Sequence, residues 1–120
     1  MSNDKPFKIK NGISAKYYPI SSSALLGTSV DVSSAQYFTK TLSANTTFTF
    51  TNPPASGEVG SFAMQITGAS TYTITWPTSI KWHLGAAPDS PAAGETDLYV
   101  FFTYDGGSTY YGKNAGDAVG

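Results

Sequence analysis

His83 is the only histidine of this 120-residue chain, and cysteine is absent. Metal centres usually gather several His or Cys, and a Ser-His-Asp triad needs its His beside a nucleophile and a carboxylate. The chain has 15 Ser and 15 Thr, yet no G-x-S-x-G elbow frames any of the serines. His83 therefore reads as a loop-edge residue following Trp82. Glycoside hydrolysis asks for two carboxyls facing each other across a cleft. Asp4, Asp31, Glu58, Asp89, Glu95, Asp97, Asp105 and Asp117 instead fall in expected turns or at strand ends, where carboxylates commonly support bends. Asp89, Glu95 and Asp97 lie in or beside one loop and could offer oxygen ligands to Ca²⁺, but EF-hand spacing is missing. Gly106-Gly107 is followed by no Gly-Lys-Ser/Thr, so no phosphate cradle is expected. These residues predict no catalytic site, no metal and no cofactor.

Aromatic residues carry the stronger signal. Trp76, Trp82, Tyr99, Tyr104, Tyr110 and Tyr111 offer flat apolar faces, several with polar tips, suited to stacking on sugars or filling an interface. Alternation assigns Trp76 and Trp82 to the core. Tyr99, Tyr110 and Tyr111 are expected to be accessible, for surface contact or glycan stacking.

The elements that must position these side chains are strands. From Thr46 to Trp82 the large apolar groups recur two residues apart: Phe48 and Phe50; Phe62, Met64 and Ile66; Tyr72, Ile74 and Trp76; Ile80 and Trp82. A strand turns successive side chains to opposite faces, so this period puts all of them on one face. Asn52-Pro53-Pro54, Gly57, Gly60, Gly68 and Pro77 punctuate the runs. Strands are predicted near 28–33, 36–42, 46–51, 61–67, 71–76, 79–83, 97–104 and 108–113. Leu98–Tyr104 is apolar on both faces and reads as a central or covered strand, and Asp105-Gly106-Gly107 turns it into a C-terminal hairpin. Residues 84–96 form the longest loop and are expected to touch a partner. Eight short strands joined by Gly/Pro turns predict one all-β domain, an antiparallel β-sandwich or jelly roll.

Composition sets limits on the partner. Apolar residues make up 40% and charged residues only 12%, about half the usual share. The net charge is −1 and arginine is absent, which removes the dense positive charge and guanidinium forks of nucleic-acid binders. Residues 1–16 hold Lys5, Lys8, Lys10 and Lys16 against Asp4, a charge of +3; three Lys against seven acids leave −4 on the rest. Residues 1–24 are read as an arm with an Asn11-Gly12 turn, 25–116 as the body and 117–120 as a tail. Neither a signal peptide nor a membrane-spanning run is evident, so cytoplasmic synthesis is expected. Lys5, Phe7, Lys8, Ile9, Lys10, Ile13, Tyr17 and Tyr18 are too few to form their own core and are expected to attach the chain to a neighbour by adding a strand or lying in a groove.

Tyr37-Phe38-Thr39-Lys40-Thr41-Leu42, Asn45–Phe50, Asn52-Pro53-Pro54, Tyr72–Pro77 and Asp105–Gly112 resemble a β module of virion structural proteins of marine tailed bacteriophages. The opening Lys5–Gly12 is similar to the start of such proteins. The resemblance spans roughly residues 30–113, an ordinary domain's worth of chain. It implies a location and no reaction, and it supplies no active-site residue. With no stalk or tail-binding segment beside the module, it implies a capsid decoration or cement protein, with a tail or fibre subunit or a carbohydrate-binding module as alternatives. The expected setting is the virion surface after assembly in the host cytoplasm. The expected partners are the major capsid protein or another virion protein and further copies of the chain, a trimer being favoured. A host-surface glycan is a further candidate, while nucleic acid and membrane are not expected.

Overall fold

The computed structural model describes residues 21–120, which form ten strands, and the two longest alternate residue by residue between buried and more exposed positions. The strands are β1 (Ser22–Ala24), β2 (Ser29–Asp31), β3 (Tyr37–Thr41), β4 (Thr46–Thr47), β5 (Thr49–Thr51), β6 (Gly60–Thr67), β7 (Ile74–Thr75), β8 (Ile80–Trp82), β9 (Thr96–Thr103) and β10 (Tyr110–Gly116). Among the described residues there is no α-helix, only a 3₁₀ turn at His83–Gly85. The protein is all-β. Each predicted strand has a counterpart, but 46–51 is split into β4 and β5, which pair in different ladders, and of 71–76 only Ile74–Thr75 is strand; Ser22–Ala24, at the end of the expected arm, adds an edge strand.

Strand direction departs from expectation. The main sheet runs β1-β3-β6-β9-β10-β8, and only the β6–β9 and β9–β10 pairs are antiparallel. β1–β3, β3–β6 and β8–β10 are parallel, as are the separate ladders β2–β5 and β4–β7. The expected antiparallel sheet is therefore a mixed one. Alternation reports which face a residue occupies and is silent on the direction of its neighbour. Parallel neighbours need a crossover of about a dozen residues or more, most often helical. Here segments 25–36 and 42–59 make the crossover, and they do so with β2, β4 and β5. The chain thus winds in coils, laying one strand in the main sheet and the next in a small ladder.

One apolar cluster joins these layers. Phe38, Phe62, Met64, Ile66, Tyr99, Phe101 and Tyr110 of the sheet are buried with Val30, Ala35, Leu42, Phe48, Ile74 and Trp76. Phe50 lies 5.0 Å from Phe62 and 5.2 Å from Phe101, both edge-to-face, and Trp76 lies 5.3 Å from Phe48 and 5.4 Å from Phe101 (ring centroids). Each such aromatic pair adds about 0.5–1.5 kcal/mol beyond the area it buries. β9 holds the expected central place between β6 and β10.

Two loops are fixed by local chemistry. At the β9–β10 hairpin the Asp105 carboxylate accepts from the Thr109 amide at 2.9 Å and the Thr103 hydroxyl at 3.1 Å, while Gly106 and Gly107 take positive φ. A Cβ on Gly107 would also stand 2.7 Å from Pro53, so the Asn-Pro-Pro turn packs against bare backbone. The loop at 84–96, expected to touch a partner, is tied to its own chain at its C-terminal end. The Gly94 amide donates to the Gly68 carbonyl at 2.6 Å, the Gly68 amide to the Glu95 carbonyl at 2.9 Å and the Ile74 amide to Ser90 Oγ at 2.9 Å.

Candidate functional site

Because β9 is apolar on both faces, burying one face on the core leaves the other to solvent. Asp97, Tyr99, Phe101 and Thr103 point inward and are buried, whereas Val100 and Phe102 are exposed. Register carries that outer face across the sheet in two rows. Tyr37, Ala63, Val100 and Lys113 are successive partners on β3, β6, β9 and β10. Ser61, Phe102, Tyr111 and Lys81 are successive partners on β6, β9, β10 and β8. Small Ala63, between Tyr37 and Val100 in the first row, leaves an open trough of about 920 Å³, rimmed by Gln36, Tyr37, Ser61 and His83 and by the two lysines.

Beside it stands a row of rings. Phe102 stacks on Tyr111 at 5.2 Å and 27°, and Tyr111 runs parallel to Tyr104 at 6.3 Å and 5°. Exposures of 44% for Phe102, 52% for Tyr104, 36% for Tyr111 and 40% for Val100 make this a contiguous apolar patch of the kind that marks interaction surfaces. The charge that would develop on neighbouring Tyr111 raises the Tyr104 phenol above its ordinary value. The Tyr37 hydroxyl donates to Gln65 Oε1 at 2.6 Å, which fixes the ring at the trough's edge.

Of the three tyrosines expected to be accessible, only Tyr111 is. Tyr99 is wholly buried, 4.9 Å from Trp76, and Tyr110 is buried 5.0 Å from Phe50. Neighbours in a strand face opposite sides, so only one of Tyr110 and Tyr111 could reach solvent. That signal was present in the sequence. Burial also raises the Tyr110 phenol, with the Asp105 charge adding to it, and its Oη has no hydrogen-bond partner. Phe102 and Val100, not singled out by residue type, form the platform together with Tyr104 and Tyr111. His83 is exposed at the start of the 3₁₀ turn, at the trough's rim. The arm residues Lys5, Phe7, Lys8, Ile9, Lys10, Ile13, Tyr17 and Tyr18 lie outside the described residues.

Asp97 was expected at a strand end and is buried on the inner face, opposite Ile66. Its Oδ1 accepts from the Ala118 amide at 2.9 Å, and the Tyr99 hydroxyl donates to Oδ2 across a long 3.4 Å. The Val119 amide donates to the Thr96 carbonyl at 2.8 Å, so the C-terminal tail folds back over the start of β9. Burial pushes the Asp97 carboxyl up, against the opposing pull of the Ala118 hydrogen bond, and the neighbouring Asp117 pushes it further. Glu95, Asp97 and Asp117 can each bring one oxygen within 4.8 Å of the others. Asp89, the third member of the expected group, is an exposed loop residue and is not among them.

Set against known proteins, the chain matches no family model, no curated protein and no solved structure. Among the described residues, no helix is long and apolar enough to cross a membrane.

Proposed function

We propose that this chain is a non-enzymatic structural protein of a bacteriophage virion, decorating the capsid surface and binding there through surfaces rather than through a reaction. The observation that carries the proposal is the open outer face of the main sheet. Val100, Phe102, Tyr104 and Tyr111 stay exposed while the inner face is filled by β2, β4, β5 and β7 and their flanking residues. A rigid sheet with one apolar face left uncovered is suited to fixed, repeated contacts, and repetition on a shell lets weak contacts sum to stable attachment. In its finer architecture the fold is an open sandwich, with the two short ladders serving as the incomplete second layer. The expected arm ends in the edge strand β1, and an arm docked on a capsid neighbour would add its contacts to those of the platform.

A fibre or tail subunit is the second reading. It is favoured by the coiled winding, since β1, β3 and β6 stack in parallel with return strands between them, an arrangement that extends along one axis. Copy number in purified particles separates the two. Hundreds of copies per particle support decoration, and a dozen or so reject it. Deleting residues 1–20 should give a folded body that no longer binds particles. Full occupancy by the truncated protein would move attachment to the body.

A further inference from the structure

We infer that the outer-face trough is a binding site for a carboxylated oligosaccharide. Its lining holds Lys81, Lys113 and His83 and no carboxylate, although the described residues as a whole carry more acids than lysines. Lys113 and Lys81, on the neighbouring strands β10 and β8 along one side of the apolar floor, select an anionic ligand of modest charge. The chain's own N-terminal residues, at +3 over 1–16, are repelled by the same lysines and are the wrong occupant.

The polar groups at the rim define the class further. Tyr37, Gln36 and Ser61 present hydroxyl and amide groups, which match a ligand rich in hydroxyls. The floor of Ala63 and Val100, with the Phe102 ring at one end of the aromatic row, matches the C–H faces of pyranose rings. An acidic peptide would bind best along an unpaired strand edge, and this trough instead crosses the strands, from β3 over β6, β9 and β10 to the edge strand β8. A single-stranded nucleic acid needs free ring faces and a line of cations. Here the cations number only two lysines, without arginine, and offer little to a phosphate backbone. The volume, about 920 Å³, lies near the upper end of ordinary ligand sites and suits several sugar units.

The ligand chemistry follows from the trough alone, so a chain that binds no particle can still bind the saccharide. The test is calorimetric titration of the full chain with oligogalacturonate and with its methyl ester, in which the carboxylates are masked. The acid form should bind about tenfold more tightly than the ester, the difference made by one charge-assisted hydrogen bond. Lys81→Gln together with Lys113→Gln should erase that difference, and Phe102→Ala should weaken both ligands. All three positions are exposed or rim residues, so melting curves of the variants should overlay the parent's. Equal binding of acid and ester, no binding by either at millimolar concentration, or tighter binding of oligo-glutamate or oligo-thymidylate would each overturn the assignment.

Discussion

Gly112 lies in β10, paired with Phe101 on one side and Trp82 on the other, and its inner face looks onto the aromatic core. A Cβ placed there would stand 2.9 Å from Ile80 Cγ2 and 2.9 Å from both Phe101 Cδ1 and Phe101 Cε1. Its backbone is not in the left-handed region, so alanine is sterically allowed by φ and the cost lies wholly in packing. Phe101 cannot yield freely, because Phe62, Trp76 and Trp82 hold it at centroid distances of 5.2, 5.4 and 5.6 Å. Overfilling a packed core costs about 1–3 kcal/mol. Replacing glycine by alanine in a strand returns about 0.5–1 kcal/mol. Gly112→Ala should therefore destabilise by about 1 kcal/mol, a fall in Tm of about 4–8 °C for a domain of this size. Gly27→Ala is the control, since nothing lies within 4 Å of its Cβ position and its φ is not positive. That variant should stay within about 0.5 kcal/mol of the parent. Urea unfolding of the three proteins side by side gives the numbers. An unchanged or raised midpoint for Gly112→Ala would refute the packing of Phe101 and Ile80 over β10.

Tyr110→Phe removes a buried hydroxyl that has no partner, so it should leave stability unchanged or raise it by up to about 1 kcal/mol; a clear loss in thermal melts would mean that Oη is satisfied after all. The raised Asp97 carboxyl makes the folded state hold its proton above the ordinary value of 3.8, so this group's contribution to stability should decline as pH rises from there through its folded value. Asp97→Asn should remove that decline, which urea titrations from pH 4 to 7 would detect; parallel profiles for parent and variant would contradict it. Asp31 is held low by its Ser33 and Asn52 hydrogen bonds and Asp105 by the Thr109 amide, so the stability each contributes is present above 3.8 and lost below it, outside the Asp97 window. EDTA should leave Tm unchanged, because Asp97 already spends its oxygens on Ala118 and Tyr99; a drop of several degrees would point to Glu95, Asp97 and Asp117 as ligands.

The alternation from Phe48 to Trp82 by itself determined which side chains are core, because a strand has only two faces and one of them must exclude water. The Asp105-Gly106-Gly107 hairpin was legible for an equally local reason: positive φ and a carboxylate accepting from Thr109 are properties of a few neighbouring residues. The central place of β9 was legible too, since a strand apolar on both sides needs neighbours. Which face of β9 turned inward was not, because Leu98–Phe102 is apolar in either parity, and the choice rests on Trp76 and Phe50 reaching across from β5 and the segment after β7. That choice buried Tyr99 and exposed Phe102, and so decided where the candidate site lies. Strand direction was likewise tertiary, since pairing Phe38 with Met64 or Val30 with Phe50 joins residues far apart in sequence with no local signature. Asp97 meets Ala118 only because the tail folds back over β9, so its burial and its raised carboxyl are consequences of chain return that no window of sequence around Asp97 contains.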